Sequence, residues 1–97
     1  MSERIEAIAL AVEKAAGCKA THVESVPVIE TFRGQVVWEG VVEVFSLTGY
    51  SKAKKAYGWS FQEGEETRYT AVLEIGPVDS AITAVRASIL AQNRPKM

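Results

Sequence analysis

The stretch from residue 21 to residue 76 constrains the fold most, because valine, threonine and aromatic residues dominate it. Turn signals at Arg33-Gly34, at residues 49–51 and at residues 63–65 divide this stretch, and we expect the third turn to be a three-residue loop. The four predicted strands cover residues 21–31, 36–46, 54–62 and 68–75. The turns are too short for a parallel crossover, so the pattern predicts an antiparallel meander. Pro27 has no N–H to donate to a sheet ladder, which predicts that the first strand lies at an edge.

A helical segment precedes the strands. Apolar residues recur at helical spacing between Ile5 and Ala16. Ser2 can cap the start of this helix, and Gly17 can adopt the left-handed conformation that ends it.

A second helical segment follows Gly76-Pro77, where Asp79 or Ser80 can cap a helix that runs to about residue 91. The polar tail over residues 92–97 is expected to fray. The predicted class is α+β, in the order α-β-β-β-β-α. We expect a two-layer sandwich with both helices on one face of a four-stranded antiparallel meander sheet.

Length and composition favour one domain over residues 1–97, with an apolar fraction of 47% and a charged fraction of 24%. The net charge of −1 argues against strong general attraction to nucleic acid or to an acidic membrane. No apolar run reaches the roughly 18 residues of a membrane span. The single cysteine, Cys18, excludes an internal disulfide, and the acidic start lacks the pattern of a signal peptide. We therefore expect a cytoplasmic protein.

The alternation of side chains along the strands predicts one aromatic face, with Trp59 opposite Gly40 and Tyr57 and Phe61 beside it. The helices are expected to cover that face. The opposite face keeps more valine than a solvated sheet needs, and its candidate contact residues are Val37, Val41, Phe45, Ala56 and Val72. The leading hypothesis is therefore a small, non-enzymatic interaction domain that forms a homodimer through its sheet.

Two other hypotheses stay open. The first is weak binding of RNA or single-stranded nucleic acid, through the basic side chains of Arg33, Lys52, Lys54, Lys55 and Arg68. Nearby glutamates count against it. The second is an enzyme or a binder of an unidentified small molecule, with a pocket between sheet and helices near Tyr57 and Tyr69.

The residues nominate no catalytic group, metal or cofactor. Cys18 and His22 are the sole cysteine and histidine, so a structural zinc site within one chain is not expected. Glu39 and Glu43 share a predicted sheet face, and we interpret them as solvated surface acids.

Two segments, residues 49–59 and 77–89, carry a resemblance. They are similar to segments of short, uncharacterised bacterial proteins with no assigned activity. The resemblance implies a bacterial, cytoplasmic origin, and it transfers no catalytic or binding residue to this chain.

Overall fold

A computed structural model describes residues 2–49 and 52–92. Its elements, in chain order, are α1 (Glu3–Ala16), β1 (Lys19–Phe32), β2 (Gln35–Thr48), β3 (Lys55–Glu63), β4 (Glu66–Leu73) and α2 (Ala81–Gln92). The predicted α+β class and the order α-β-β-β-β-α are confirmed. Residues 50–51 of the second predicted turn and residues 93–97 of the predicted tail lie outside the described residues.

The four strands form one open antiparallel sheet in the order β1-β2-β3-β4. The meander and the edge position of β1 are therefore confirmed. The caps of α1 are also as predicted. Ser2 Oγ accepts a hydrogen bond from the Ile5 N–H at 3.2 Å, and Gly17 adopts φ 73° while its N–H donates to the Glu13 carbonyl.

The predicted register is wrong in the outer strands. The third turn holds two residues, since Glu63 pairs with Glu66, and this moves β4 by one position relative to the expected three-residue loop. Two β-bulges also change the register between β1 and β2, with Val23 as the extra residue in β1 and Val37 as the extra residue in β2. Because side chains alternate, each one-residue shift exchanges the two faces of its strand.

The register between β2 and β3 differs by two residues, which leaves the faces unchanged. Tyr57 pairs with Val44, so Trp59 does not lie opposite Gly40. The ring nearest to Gly40 is instead that of Trp38, two residues earlier in the same strand.

The two helices lie on opposite faces of the sheet, so their predicted placement on one face is wrong. Ile8 and Val12 of α1 pack with Phe45 and Ala56 on a face that we call the α1 face. Residues of α2, including Ala84 and Val85, pack with Val44, Tyr57 and Trp59 on the other face, the α2 face. The shifted outer strands give both faces apolar side chains, and each face can therefore bury a helix.

Candidate functional site

The hairpin of β1 and β2 extends beyond the start of α1. The Arg4 guanidinium, in the first turn of α1, lies 3.4 Å from the Val41 carbonyl oxygen, so the helix begins beside that residue. Beyond it, residues 27–41 form what we call the hairpin end. Its exposed apolar side chains are Ile29, Phe32, Val36, Val37 and Val41, with exposed fractions from 39% to 62%. Apolar clusters of this kind are typical of contact surfaces.

The tip of the hairpin end is a tight two-residue turn. Arg33 and Gly34 both have positive φ, 53° and 79°, as a type I′ turn requires. A positive φ at an arginine costs about 1 kcal/mol, and strain of this kind is common where proteins bind ligands. The Arg33 guanidinium carbon lies 5.2 Å from the ring centroid of the exposed Phe32.

An open groove of about 660 Å³ runs between the hairpin end and the last turns of α2. Its lining residues are Glu30, Thr31, Phe32, Val37, Trp38, Arg86, Ile89 and Leu90. Glu30 and Arg86 form an ion pair within it, and hydrogen bonding from Arg86 holds the pKa of Glu30 below its ordinary value. The two charges compensate each other, which leaves a mainly apolar groove.

A buried carboxylate lies beneath the start of α1. Glu43 on β2 is 1% exposed, and Arg4 Nη1 donates to its Oε2 at 2.7 Å. His22 Nε2 lies 2.8 Å from Oε1, and Ser25 Oγ donates to the same oxygen. Burial alone would raise the pKa of Glu43, but the hydrogen bonds from Ser25, Arg4 and His22 outweigh it and hold the pKa below its ordinary value.

This cluster positions α1 on the sheet. Arg4 belongs to α1 and Glu43 to a central strand, so their ion pair fixes where the helix begins. Ser25 on β1 also donates to Glu43, so the cluster joins α1, β1 and β2. The interpretation of Glu43 as a solvated surface acid is wrong. The apolar residues on both sides of Glu43, within residues 41–45, are the one sequence feature consistent with its burial, and they do not show what compensates its charge.

A smaller pocket of about 280 Å³ lies at the start of α2 and includes Glu24, Lys55, Tyr57 and Asp79 in its lining. Burial, together with a hydrogen bond to Glu74, raises the pKa of the Tyr57 hydroxyl. Tyr69, which the sequence analysis placed beside Tyr57 in a pocket, does not line this one. Tyr69 pairs with Ser60, and this register directs it to the α1 face.

The five predicted interface residues do not form one surface patch. Phe45 and Ala56 are fully buried in the cluster with α1, and Val72 packs against the cluster with α2. The prediction that all five residues form one continuous contact surface is therefore wrong. Val37 and Val41 remain exposed, and both belong to the hairpin end.

The five predicted nucleic-acid contacts are also dispersed. Arg33 lies at the tip of the first hairpin, whereas Lys52, Lys54 and Lys55 lie at the opposite end of the sheet, beside the end of β2. Arg68 forms ion pairs with Glu63 and Glu66 beside the third turn. The structure thus brings together only the three lysines.

Over residues 2–49 and 52–92, no three side chains of histidine, cysteine, aspartate or glutamate are grouped so that they could hold a metal ion. Within the same ranges, no helix is both long enough and apolar enough to cross a bilayer.

These elements define an α+β domain, an open four-stranded antiparallel sheet with one helix against each face. Comparison with protein-family models, curated proteins and solved structures finds no match to the chain. The function must therefore be argued from the surface of the molecule itself.

Proposed function

We propose that the protein is a non-enzymatic interaction domain that forms a homodimer through the hairpin end. The observation that carries this proposal is the concentration of exposed apolar side chains on residues 27–41, on strands that α1 does not cover. Water-facing strands do not need so many valine, isoleucine and phenylalanine side chains.

Charge supports a second copy as the partner. Within the described residues, Arg33 and Glu39 of the hairpin end have no ion-pair partner. In a two-fold arrangement the same surface of both copies meets, and two antiparallel hairpin ends place the tip of one beside the middle of the other. Arg33 of each copy then approaches Glu39 of the other, at the rim of the apolar contact.

The exposed apolar side chains of the hairpin end also determine the expected strength of dimerisation. Full burial of a valine, isoleucine or phenylalanine side chain contributes about 1.5–3 kcal/mol. The five half-exposed side chains of each copy, about ten in the dimer, therefore contribute roughly 10 kcal/mol. The loss of translational and rotational freedom costs at least about 4 kcal/mol of this. A dissociation constant of roughly tens to hundreds of micromolar follows.

The test is the solution mass across that range, by sedimentation equilibrium from about 10 μM to 1 mM protein. We expect the weight-average mass to rise from monomer towards dimer. The double variant Ile29→Lys/Val36→Lys should weaken association at least about tenfold, because it places two charges in the contact. Both positions are exposed, so the monomer should fold normally.

The matched control is Leu10→Lys, since Leu10 is 66% exposed on α1, away from the hairpin end. It should associate like the unaltered chain. A monomeric mass over the whole range, or a double variant that associates as tightly as the control, would contradict the proposed dimer.

We also propose a cytoplasmic location. The single cysteine, which cannot form an internal disulfide, supports it.

A further inference from the structure

The two hairpins of the sheet separate from each other. β2 and β3 pair only from Glu43–Gly58 to Ser46–Lys55, although both strands continue past Glu43 and Gly58. Beyond this point β2 remains paired with β1, and β3 remains paired with β4. The inner edges at residues 35–41 and 60–63 therefore face each other without a shared ladder, and we call the space between them the inter-hairpin cleft.

Hydrogen bonds at the paired end show which backbone groups point into this cleft. The Leu47 N–H donates to the Lys54 carbonyl at 2.8 Å, across the β2–β3 boundary. Backbone direction alternates along a strand. The N–H and carbonyl groups of Val41 and Glu39 therefore also point towards β3.

The same reasoning applies to β3. The Glu74 N–H donates to the Lys55 carbonyl at 3.0 Å, so odd-numbered residues of β3 direct their backbone groups towards β4. Ser60 and Gln62 then direct theirs towards β2. Each inner edge thus presents backbone donors and acceptors to the cleft.

Two contacts agree with this assignment. Arg4 Nη2 lies 3.4 Å from the Val41 carbonyl, which shows that this oxygen is not taken up by β1. Pro27, opposite Val41, has no N–H, and a proline on an edge strand directs its missing donor outwards. The Pro27–Val41 pair then exchanges no backbone hydrogen bonds, and both backbone groups of Val41 point to the cleft side, where its carbonyl accepts from Arg4.

We propose that the inter-hairpin cleft binds an extended, basic peptide segment of another protein, which adds as a strand between β2 and β3. A strand placed there pairs along both of its edges, whereas addition at an outer edge gives only one ladder. On the α2 face, Trp38 and Trp59 span the cleft with ring centroids 5.5 Å apart, and they provide an aromatic floor for alternate side chains of the peptide.

Charge around the cleft specifies the basic character of the peptide. Glu39 is exposed on the β2 side, and the turn between β3 and β4 carries Glu63, Glu65 and Glu66. Arg68 pairs with two of these glutamates. The surplus of carboxylates favours lysine or arginine side chains. This site does not require the proposed dimer, and a monomeric chain should bind the peptide.

The probe is a seven-residue peptide of alternating lysine and valine, blocked at both ends, added to about 10 μM protein so that the chain stays monomeric. Binding is followed by tryptophan emission, because Trp38 and Trp59 are the two tryptophans of the chain. Amide hydrogen exchange then locates the peptide. In the free protein the amides of Glu39, Val41, Ser60 and Gln62 should exchange fast, and the peptide should slow them at least about tenfold.

The neighbouring amides are internal controls. Gly40 and Phe61 direct their N–H groups to β1 and β4, so their exchange is already slow and should change little. Glu39→Lys should weaken binding at least about threefold through charge, whereas Glu6→Lys on α1 should not.

Three results would overturn the proposal. The first is the absence of saturable binding. The second is equal binding of a peptide with N-methylated valines, because those valines have no N–H to donate to the edge strands. The third is protection confined to the outer edges, β1 or β4. A chain that binds the peptide but never dimerises would overturn only the proposed dimer.

Discussion

Replacement of Gly58 by alanine tests the central packing contact of the fold. A Cβ atom at this position would lie 2.6 Å from Ile8 Cγ2 and 3.1 Å from Val12 Cγ2, both on α1. Carbon atoms in a packed core prefer separations of about 3.5–4.0 Å. α1 must therefore move away from the sheet by about 1 Å, against the ion pair of Arg4 with the buried Glu43.

The unfolding free energy lost in Gly58→Ala is the difference between two opposing contributions. Adding a methyl group to a packed core costs about 1–3 kcal/mol, and replacing a strand glycine by alanine returns about 0.5–1 kcal/mol of backbone entropy. The net loss of unfolding free energy is about 1–2 kcal/mol. In a domain of this length each 1 kcal/mol lowers Tm by about 4–8 °C.

The assay is urea unfolding of the unaltered chain, Gly58→Ala and Gly40→Ala, followed by circular dichroism. Gly40→Ala is the matched control, because its nearest contact is the ring of Trp38, with Cη2 at 3.0 Å. That ring is half-buried and can shift by a few tenths of an ångström, so this loss should stay below about 1 kcal/mol.

A Gly58→Ala chain as stable as the unaltered one would refute the packing argument. It would mean that α1 does not lie over Gly58.

Three further substitutions give distinct signatures in the same urea assay. Glu43→Gln should lose about 2 kcal/mol or more at neutral pH, because Arg4 loses its buried partner. The folded-state pKa of Glu43 is lowered, so the unaltered chain should lose stability as pH falls below about 5, and this loss should be smaller in the variant. Tyr57→Phe should lose about 1–2 kcal/mol with the hydrogen bond to Glu74. Because burial raises the pKa of Tyr57, the unaltered chain should lose stability as pH rises above about 10, and this loss should be smaller in Tyr57→Phe. Gly34→Ala should cost about 1 kcal/mol, since φ is 79° there. An unchanged midpoint in any of these variants would contradict the contact assigned to it.

Features with a local cause were predictable from the sequence. The caps at Ser2 and Gly17 follow from side-chain and backbone preferences within a few residues. The Arg33-Gly34 turn and the edge position of the strand with Pro27 have equally local causes. The fold class and the meander were correct for this reason.

The candidate site was predictable only in part. Val37 and Val41 were correctly identified as exposed on a face with surplus valine. Phe45 and Ala56 belong to the same predicted valine-rich face, but α1 buries them. Nothing in their immediate neighbours in the sequence distinguishes a contact surface from a face that a helix covers. The separation of the two hairpins had no sequence signal, because it depends on how far two strands remain paired.

The sequence by itself determined which segments form helices and strands, where they begin and end within a few residues, and the order in which the strands pair. These follow from spacing, turn residues and caps, which act over short distances. Only the tertiary structure decided the strand faces, since one residue in a turn or a bulge exchanges a whole face. It also decided that Glu43 is buried, because Arg4, His22 and Ser25 compensate its charge from 18 to 39 residues away in the chain.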